Sequence, residues 1–187
     1  DNELLPTDLH YLNTVFFNFI ARIDAVSTRR AQWIYVSDGD FLVSRLTCMN
    51  EFSPRNSPSG YYNFIAEVTD SQMDPYYFNS PEAYTTRVLD ELEHVGFLRQ
   101  RRSVEAVHIN KVRDTYPIYH RRYKKAYGNA HKAVKSFAKS IELVGRSGAY
   151  WYNNSDHSIR MALDVADRLL GKPNDFNHRA YFGGGDD

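Results

Sequence analysis

Cysteine is nearly missing from this sequence of 187 residues, with Cys48 the only one. An internal disulfide is therefore excluded, nothing points to secretion, and a cytoplasmic location is the expectation. Long apolar runs are missing as well. No stretch of about 18 apolar residues could cross a bilayer, and no signal-peptide pattern is read, so no membrane span is expected. Excess charge of either sign is absent, since 23 Lys plus Arg balance 23 Asp plus Glu. No overall field favours nucleic acid or an acidic membrane. The seven histidines include no His-x-x-x-His pair and have no second cysteine to join them, so no metal site is expected. A Gly-x-Gly-x-x-Gly turn is also lacking, because the run Gly183-Gly184-Gly185 follows no strand and opens no helix.

What is plentiful is aromatic. Aromatic residues make up 14 % of the chain, mostly Tyr (14) and Phe (11). That density suits a large core or a pocket for a planar or sugar-like ligand, and does not choose between them. Hydrophobic content of 42 % and charged content of 25 % are ordinary for a globular chain. The length fits one domain, or one domain plus a piece of another. The opening at Asp1 without Met, and the polar tail ending Gly183-Gly184-Gly185-Asp186-Asp187, lead us to expect an incomplete polypeptide.

In chain order, Leu4, Leu5 and Pro6 precede a β-branched and aromatic run from Tyr11 to Ile23, whose partial alternation predicts a long strand. Residues 31–36 predict a second strand, ended by Ser37-Asp38-Gly39-Asp40. Residues 43–50 predict a third and 62–68 a fourth, with a Pro/Ser/Asn loop from Ser53 to Gly60 between them. The short turns suggest an antiparallel meander. Ser80 as cap, Pro81 at the first position and the stripe Tyr84, Val88, Leu92, Val95 predict a helix that Gly96 ends. Residues 104–112 read as a strand with Val107, Ile109 and Val112 inward. Tyr116-Pro117-Ile118-Tyr119 reads as extended, because the residue before proline avoids the helical region. A basic amphipathic helix over 121–140 presents Tyr123, Tyr127, Ala130, Val134 and Phe137. The expected class is α+β, a largely antiparallel sheet with helices on one side.

The last part holds the densest pattern. Ile141-Glu142-Leu143-Val144 reads as a short buried strand. Then come two glycines in a polar aromatic loop, and a helix carrying Ile159, Ala162, Leu163, Ala166, Leu169 and Leu170 up to Gly171 and Pro173. Ser155 or Asp156 is the natural N-cap. An ordinary capped connection fits this pattern. So does a helix start that offers N–H donors and partial positive charge to an anion or a carbonyl.

The run Gly145-Arg146-x-Gly148-x-Tyr150-x-Tyr152-x-Asn154-x-Asp156-His157-Ser158-Ile159 resembles the C-terminal flavin motif of the FAD-dependent amine-oxidase superfamily. It is most similar to the branch of UDP-galactopyranose mutases and protoporphyrinogen-oxidase-like proteins. Trp33-Ile34-Tyr35-Val36, Arg45, Asn50-Glu51-Phe52-Ser53-Pro54 and Glu67 resemble the substrate-domain strands of that branch. Tyr116-Pro117-Ile118-Tyr119 resembles the segment leading back to the FAD domain.

The resemblance implies that residues 1–115 form a substrate domain, 116–173 the C-terminal piece of an FAD domain, and 174–187 a tail. It implies FAD contacts from Gly145, Arg146, Gly148, Asn154, Asp156, His157 and Ser158, and substrate contacts from Arg45, Asn50, Tyr116, Tyr150 and Tyr152. No catalytic residue is implied. Simple turn glycines, core tyrosines, capping residues and a solvated strand face are the plainer readings of the same positions. The implied reaction of an intact member is hydride transfer from a small-molecule substrate to the flavin. A nucleotide-sugar mutase is the alternative. A third reading is a catalytically inert domain, since the Rossmann half that would bind the ADP part of FAD is not seen in this chain. On that reading the chain needs its N-terminal half as a partner and is inactive alone; homo-oligomerisation is left open. Arg99-Gln100-Arg101-Arg102 and residues 121–125 are basic. With net charge zero and no nucleic-acid motif, a solvated face is the expectation there, and no nucleic-acid partner. Cys48 reads as a small buried apolar group rather than a nucleophile.

Overall fold

A five-stranded sheet takes up the strand-forming residues of the first two thirds of the chain. The computed structural model describes residues 8–27 and 30–172. Leu4, Leu5, Pro6 and the tail over 174–187 lie outside the described residues. The strands are β1 (His10–Arg22), β2 (Trp33–Tyr35), β3 (Val43–Cys48), β4 (Tyr61–Ser71) and β5 (Val104–Ile118). The helices are α1 (Met49–Phe52), α2 (Tyr76–Asn79), α3 (Thr85–His94), α4 (Tyr123–Phe137), α5 (Gly145–Gly148) and α6 (Ser155–Leu169). The class is α+β. Among the described residues no helix is long and apolar enough to cross a membrane. The chain divides into two units. One is Tyr11–Thr115; the other joins the segment up to His10 with the residues from Tyr116 on.

The sheet order is β2-β3-β4-β1-β5, so the expected meander is replaced by a sheet with its first strand inside. β1 pairs antiparallel with β4 from Leu12↔Ser71 to Arg22↔Tyr61. The reason lies in apolar content. β1 and β4 are the two strands with the longest buried stripes, Val15, Phe17, Phe19, Ala21 and Tyr62, Phe64, Ala66, Val68. Pairing them puts both stripes on one face. β2 has three residues, leaves Trp33 50 % and Tyr35 71 % exposed, and serves as an edge. β5 runs against β1 at the other edge: the Thr14 and Thr115 hydroxyls are 2.6 Å apart, and the Asn18 amide reaches Asn110 Oδ1 at 3.0 Å. Val107 and Val112, expected inward, are each 43 % exposed. Of this strand, Val104 and Ile109 are the apolar residues that pack on the core.

The third strand stops at Cys48, and Met49 and Asn50 turn into α1 rather than extending it. Within β3 the alternation slips, with Val43, Leu46 and Cys48 all buried. A bulge causes this. Val43 faces Val68 but Arg45 faces Glu67, with Ser44 as the extra residue, and the Ser44 hydroxyl donates to Glu67 O at 3.1 Å. α3 covers the core face with Val88 and Leu92. Its Glu91 carboxylate accepts from the N–H groups of Leu42 (2.9 Å) and Val43 (3.1 Å), tying the helix to the start of β3. Ser80 makes no side-chain cap, because a single 3-10 turn over Pro81–Tyr84 feeds α3 instead. Asp70 fixes α2 by accepting from Phe78 N–H at 2.9 Å.

The bulge sets Arg45 on the buried Glu67 carboxylate through two bonds, Nε to Oε1 at 2.7 Å and Nη2 to Oε2 at 2.8 Å. Glu67 is 4 % exposed, so removing only the cation strands a charge. We expect Arg45→Met to cost about 3–5 kcal/mol in urea unfolding, and Arg45→Met with Glu67→Leu to recover most of that. A loss below about 1 kcal/mol in the single variant would show that the pair does not hold this edge of the sheet.

Candidate functional site

In the unit formed by the segment up to His10 and the residues from Tyr116 on, the expected strand at residues 141–144 is not formed. Ile141 and Val144 are 38 % and 36 % exposed. Among the described residues no strand lies beside it to pair, and an unpaired strand leaves its backbone groups unmet. The segment is held by charge instead. Glu142 Oε1 meets Lys135 Nζ and its Oε2 meets Arg168 Nη2, both at 3.0 Å. Lys135 Nζ also donates to Ile141 O at 2.6 Å.

The next four residues close one helical turn, α5. Gly145 has φ +74°, a backbone state that suits glycine. A Cβ on Gly145 would lie 3.7 Å from Ser158 Oγ, so this turn packs against the start of α6. Gly148 is needed for space: a Cβ there would stand 3.2 Å from the Leu143 carbonyl carbon. Its close approach is therefore to the chain's own backbone. After α5, Tyr150 N–H donates to Ser147 O at 3.2 Å and Trp151 N–H to Arg146 O at 3.0 Å. Tyr150 occupies the left-handed position of this ending (φ 47°), where glycine is usual. Its ring is 2 % exposed, lying between Tyr119, Tyr123 and Tyr127 with centroids 6.0–6.3 Å away. Burial raises its phenol pKa.

Arg146 is the chemical centre of the loop. Its Nε and Nη2 donate to Asn153 O at 3.2 and 2.6 Å. Its guanidinium lies over the rings of Tyr116 (5.1 Å) and Tyr152 (4.9 Å). A cation fixed between two phenols is suited to an anionic or polyhydroxylated ligand. Tyr152 is 54 % exposed, which leaves one side of this arrangement open. Asn153, which spacing did not single out, is 4 % exposed and links the loop to the helix: its Oδ1 accepts from the Ser158 hydroxyl at 3.1 Å. The signal was a second Asn beside Asn154.

Asn154, rather than Ser155 or Asp156, takes the cap position of α6, and no side chain caps the first turn. Asp156 is exposed, with Oδ1 3.3 Å from His157 Nδ1, and the His157 ring stands edge-on to Trp151 at 5.1 Å. The apolar stripe of α6 is not covered. Ile159 is 61 % exposed, Leu163 50 %, Leu169 74 % and Leu170 68 %, and only Asp164 is buried. Phe137, which spacing puts on the apolar side of the amphipathic helix α4, is its last residue and is 84 % exposed.

The structure therefore brings Tyr116, Arg146 and Tyr152 together, and Gly145 onto Ser158. Arg45 and Asn50 belong to the sheet unit. Arg45 is engaged by Glu67, and Asn50 knots a loop. The Asn50 amide donates to Ser57 Oγ (2.7 Å), and its Oδ1 accepts from Asn63 N–H (2.9 Å). A cavity of about 470 Å³ in that unit is lined by Tyr35, Phe41, Leu46, His94 and Phe97 among others. Cys48 is 2 % exposed and burial pushes its thiol pKa up, which suits a core group and not a nucleophile.

The fold that carries this loop is shared with longer chains of known structure. A reduced UDP-galactopyranose mutase matches with a TM-score of 0.76 at 20 % identity, over 88 % of this chain and 34 % of that one. A proposed protoporphyrinogen oxidase from Exiguobacterium matches at 0.62 and 16 %, over 88 % of this chain and 36 % of that one. At these identities the likeness establishes the fold. The chain spans about a third of the length of either structure. No family model matches the sequence, and no curated protein does.

Lys135 and, next, Arg168 hold the Glu142 carboxyl below its ordinary value. A group shifted down stabilises the fold above its unfolded pKa and loses that effect as pH falls through the folded one. The melting-temperature gap between wild type and Glu142→Gln is expected at neutral pH and should close in acid. A gap that persists below the carboxylate range would refute the charge tie.

Proposed function

We propose that the chain is the C-terminal part of an FAD-dependent protein of the amine-oxidase type. It would contribute the substrate domain and the last loop and helix of the FAD domain. The observation that carries this reading is the Gly145 turn packed on the start of α6, a helix of 15 residues whose first turn has no side-chain cap. Such a helix start offers N–H donors and partial positive charge, and so fits the electron-rich edge of a flavin ring. The motif resemblance and the shared fold support the same reading.

A bound flavin would supply the hydride acceptor for oxidation of a small-molecule substrate. The residues that would hold it are Gly145, Arg146, Gly148, Asn154, Asp156, His157 and Ser158. Gly145 makes the turn that places backbone at the helix start. Ser158 and Asn153 keep that start in register with the loop. Arg146, oriented by Asn153 O and flanked by Tyr116 and Tyr152, would bind and orient an anionic substrate group. The uncovered α6 stripe supports a further step: Ile159, Leu163 and Leu170 would pack against the N-terminal Rossmann half, and the chain alone would be inactive.

A nucleotide-sugar mutase is the second reading. It is favoured by the higher TM-score, 0.76 against 0.62, and by a cation between phenols suited to a diphosphate. The test is an absorbance spectrum after incubation with FAD and desalting, on this chain and on the protein with its upstream coding sequence. Flavin bands are expected only with the longer protein, and weaker with Arg146→Ala. Bands retained by the chain alone would overturn the need for the other half; none with the longer protein would overturn the flavin reading. Perturbation of the bound flavin's spectrum by UDP-galactopyranose would decide for the mutase, and its absence for the oxidase.

A further inference from the structure

Two segments of the same unit, far apart in sequence, bring a carboxylate and two imidazoles together. Asp8 Oδ1 lies 2.9 Å from His10 Nε2, and His120 Nε2 lies 2.8 Å from Asp8 O. The two imidazole rings meet edge to face, 5.2 Å between centroids at 65°. One ligand atom from each of Asp8, His10 and His120 falls within 4.8 Å of the others. We propose that Asp8, His10 and His120 form a binding site for a divalent transition-metal cation of the zinc type.

Donor chemistry selects the class of ion. Two imidazole nitrogens with one carboxylate oxygen suit zinc, cobalt, nickel or copper, whereas calcium and magnesium prefer all-oxygen sets. Three protein ligands leave a fourth position for water. The Asp8 side chain is 47 % and the His10 side chain 30 % exposed, so an ion can arrive from solvent.

The support around the histidines is a separate observation. The buried Tyr150 hydroxyl accepts from His10 N–H at 3.1 Å, and lies 2.7 Å from His10 O and 2.8 Å from Ile118 O. His120 N–H in turn donates to Ile118 O at 3.1 Å. One hydroxyl thus fixes the backbone at His10 and, through Ile118, the turn that carries His120. A backbone already held in place loses less freedom when its side chains close on an ion, which favours binding. A cation also stands by the cluster: Arg122 Nη2 is 3.7 Å from Asp8 Oδ2. Its side chain is 80 % exposed and free to turn toward water.

Titration of the tag-free chain with Co²⁺, read by visible absorbance, and displacement by Zn²⁺ provide the test. One equivalent is expected to bind. His10→Ala and His120→Ala should each weaken binding at least about 10-fold, and Tyr150→Phe should weaken it although it removes no ligand. Arg122→Gln should bind at least as tightly as wild type, since it removes only a nearby cation. Circular dichroism confirms that each variant is folded. No cobalt spectrum at one equivalent would overturn the proposal. So would affinity unchanged in the doubly substituted His10→Ala, His120→Ala chain, or weaker binding in Arg122→Gln.

Discussion

The antiparallel pairing of β1 with β4 is the constraint on which the sheet unit depends. Their registers from Leu12↔Ser71 to Arg22↔Tyr61 align two alternating apolar stripes on one face. A slip of one residue would turn Val15, Phe17 and Phe19 to the opposite face. On that pair β3 adds beside β4, and β5 beside β1. α3 then has one apolar floor to cover, which Val88 and Leu92 do. Glu91 joins the helix to the start of β3 by accepting from the backbone N–H groups of Leu42 and Val43.

The second unit is held by a different balance. Its packing rests on tyrosines whose hydroxyls answer backbone groups, as when Tyr127 donates to Gly148 O and Tyr150 bridges His10 and Ile118. Aromatic rings supply buried area while their polar ends satisfy the loop, so an irregular backbone can be kept without regular secondary structure. The left-handed Tyr150 is kept for the same reason: the buried ring and its three hydroxyl contacts outweigh a backbone preference of about 1 kcal/mol. The abundance of tyrosine noted in the composition is explained here as core in part, and in part as the open flank of Arg146.

The same helix shows two faces of unequal fate. The start of α6 is tied down by Asn153, Ser158 and the Gly145 turn, while its apolar stripe faces solvent. An amphipathic helix normally turns such a stripe to a core. Its exposure gives physical content to the proposal that a further half of the protein packs there.

The sequence by itself determined the α+β class, the positions of β1, β4, α3, α4 and α6, and the loop that carries Gly145, Arg146 and Ser158 in the candidate site. These are local matters of alternation, helical spacing and glycine freedom, and they need no knowledge of what lies across the core. Tertiary structure alone decided the rest. It put β1 inside the sheet, because strand order depends on which apolar stripes meet. It broke the alternation of β3 with a bulge at Ser44, which sets Arg45 across from Glu67, because register is settled between strands and not along one. It left residues 141–144 without strand partners, since a short apolar run cannot show whether a neighbour exists. And it gathered Asp8, His10 and His120, whose separation along the chain hides them from any spacing rule, because ligands are defined by distance in space.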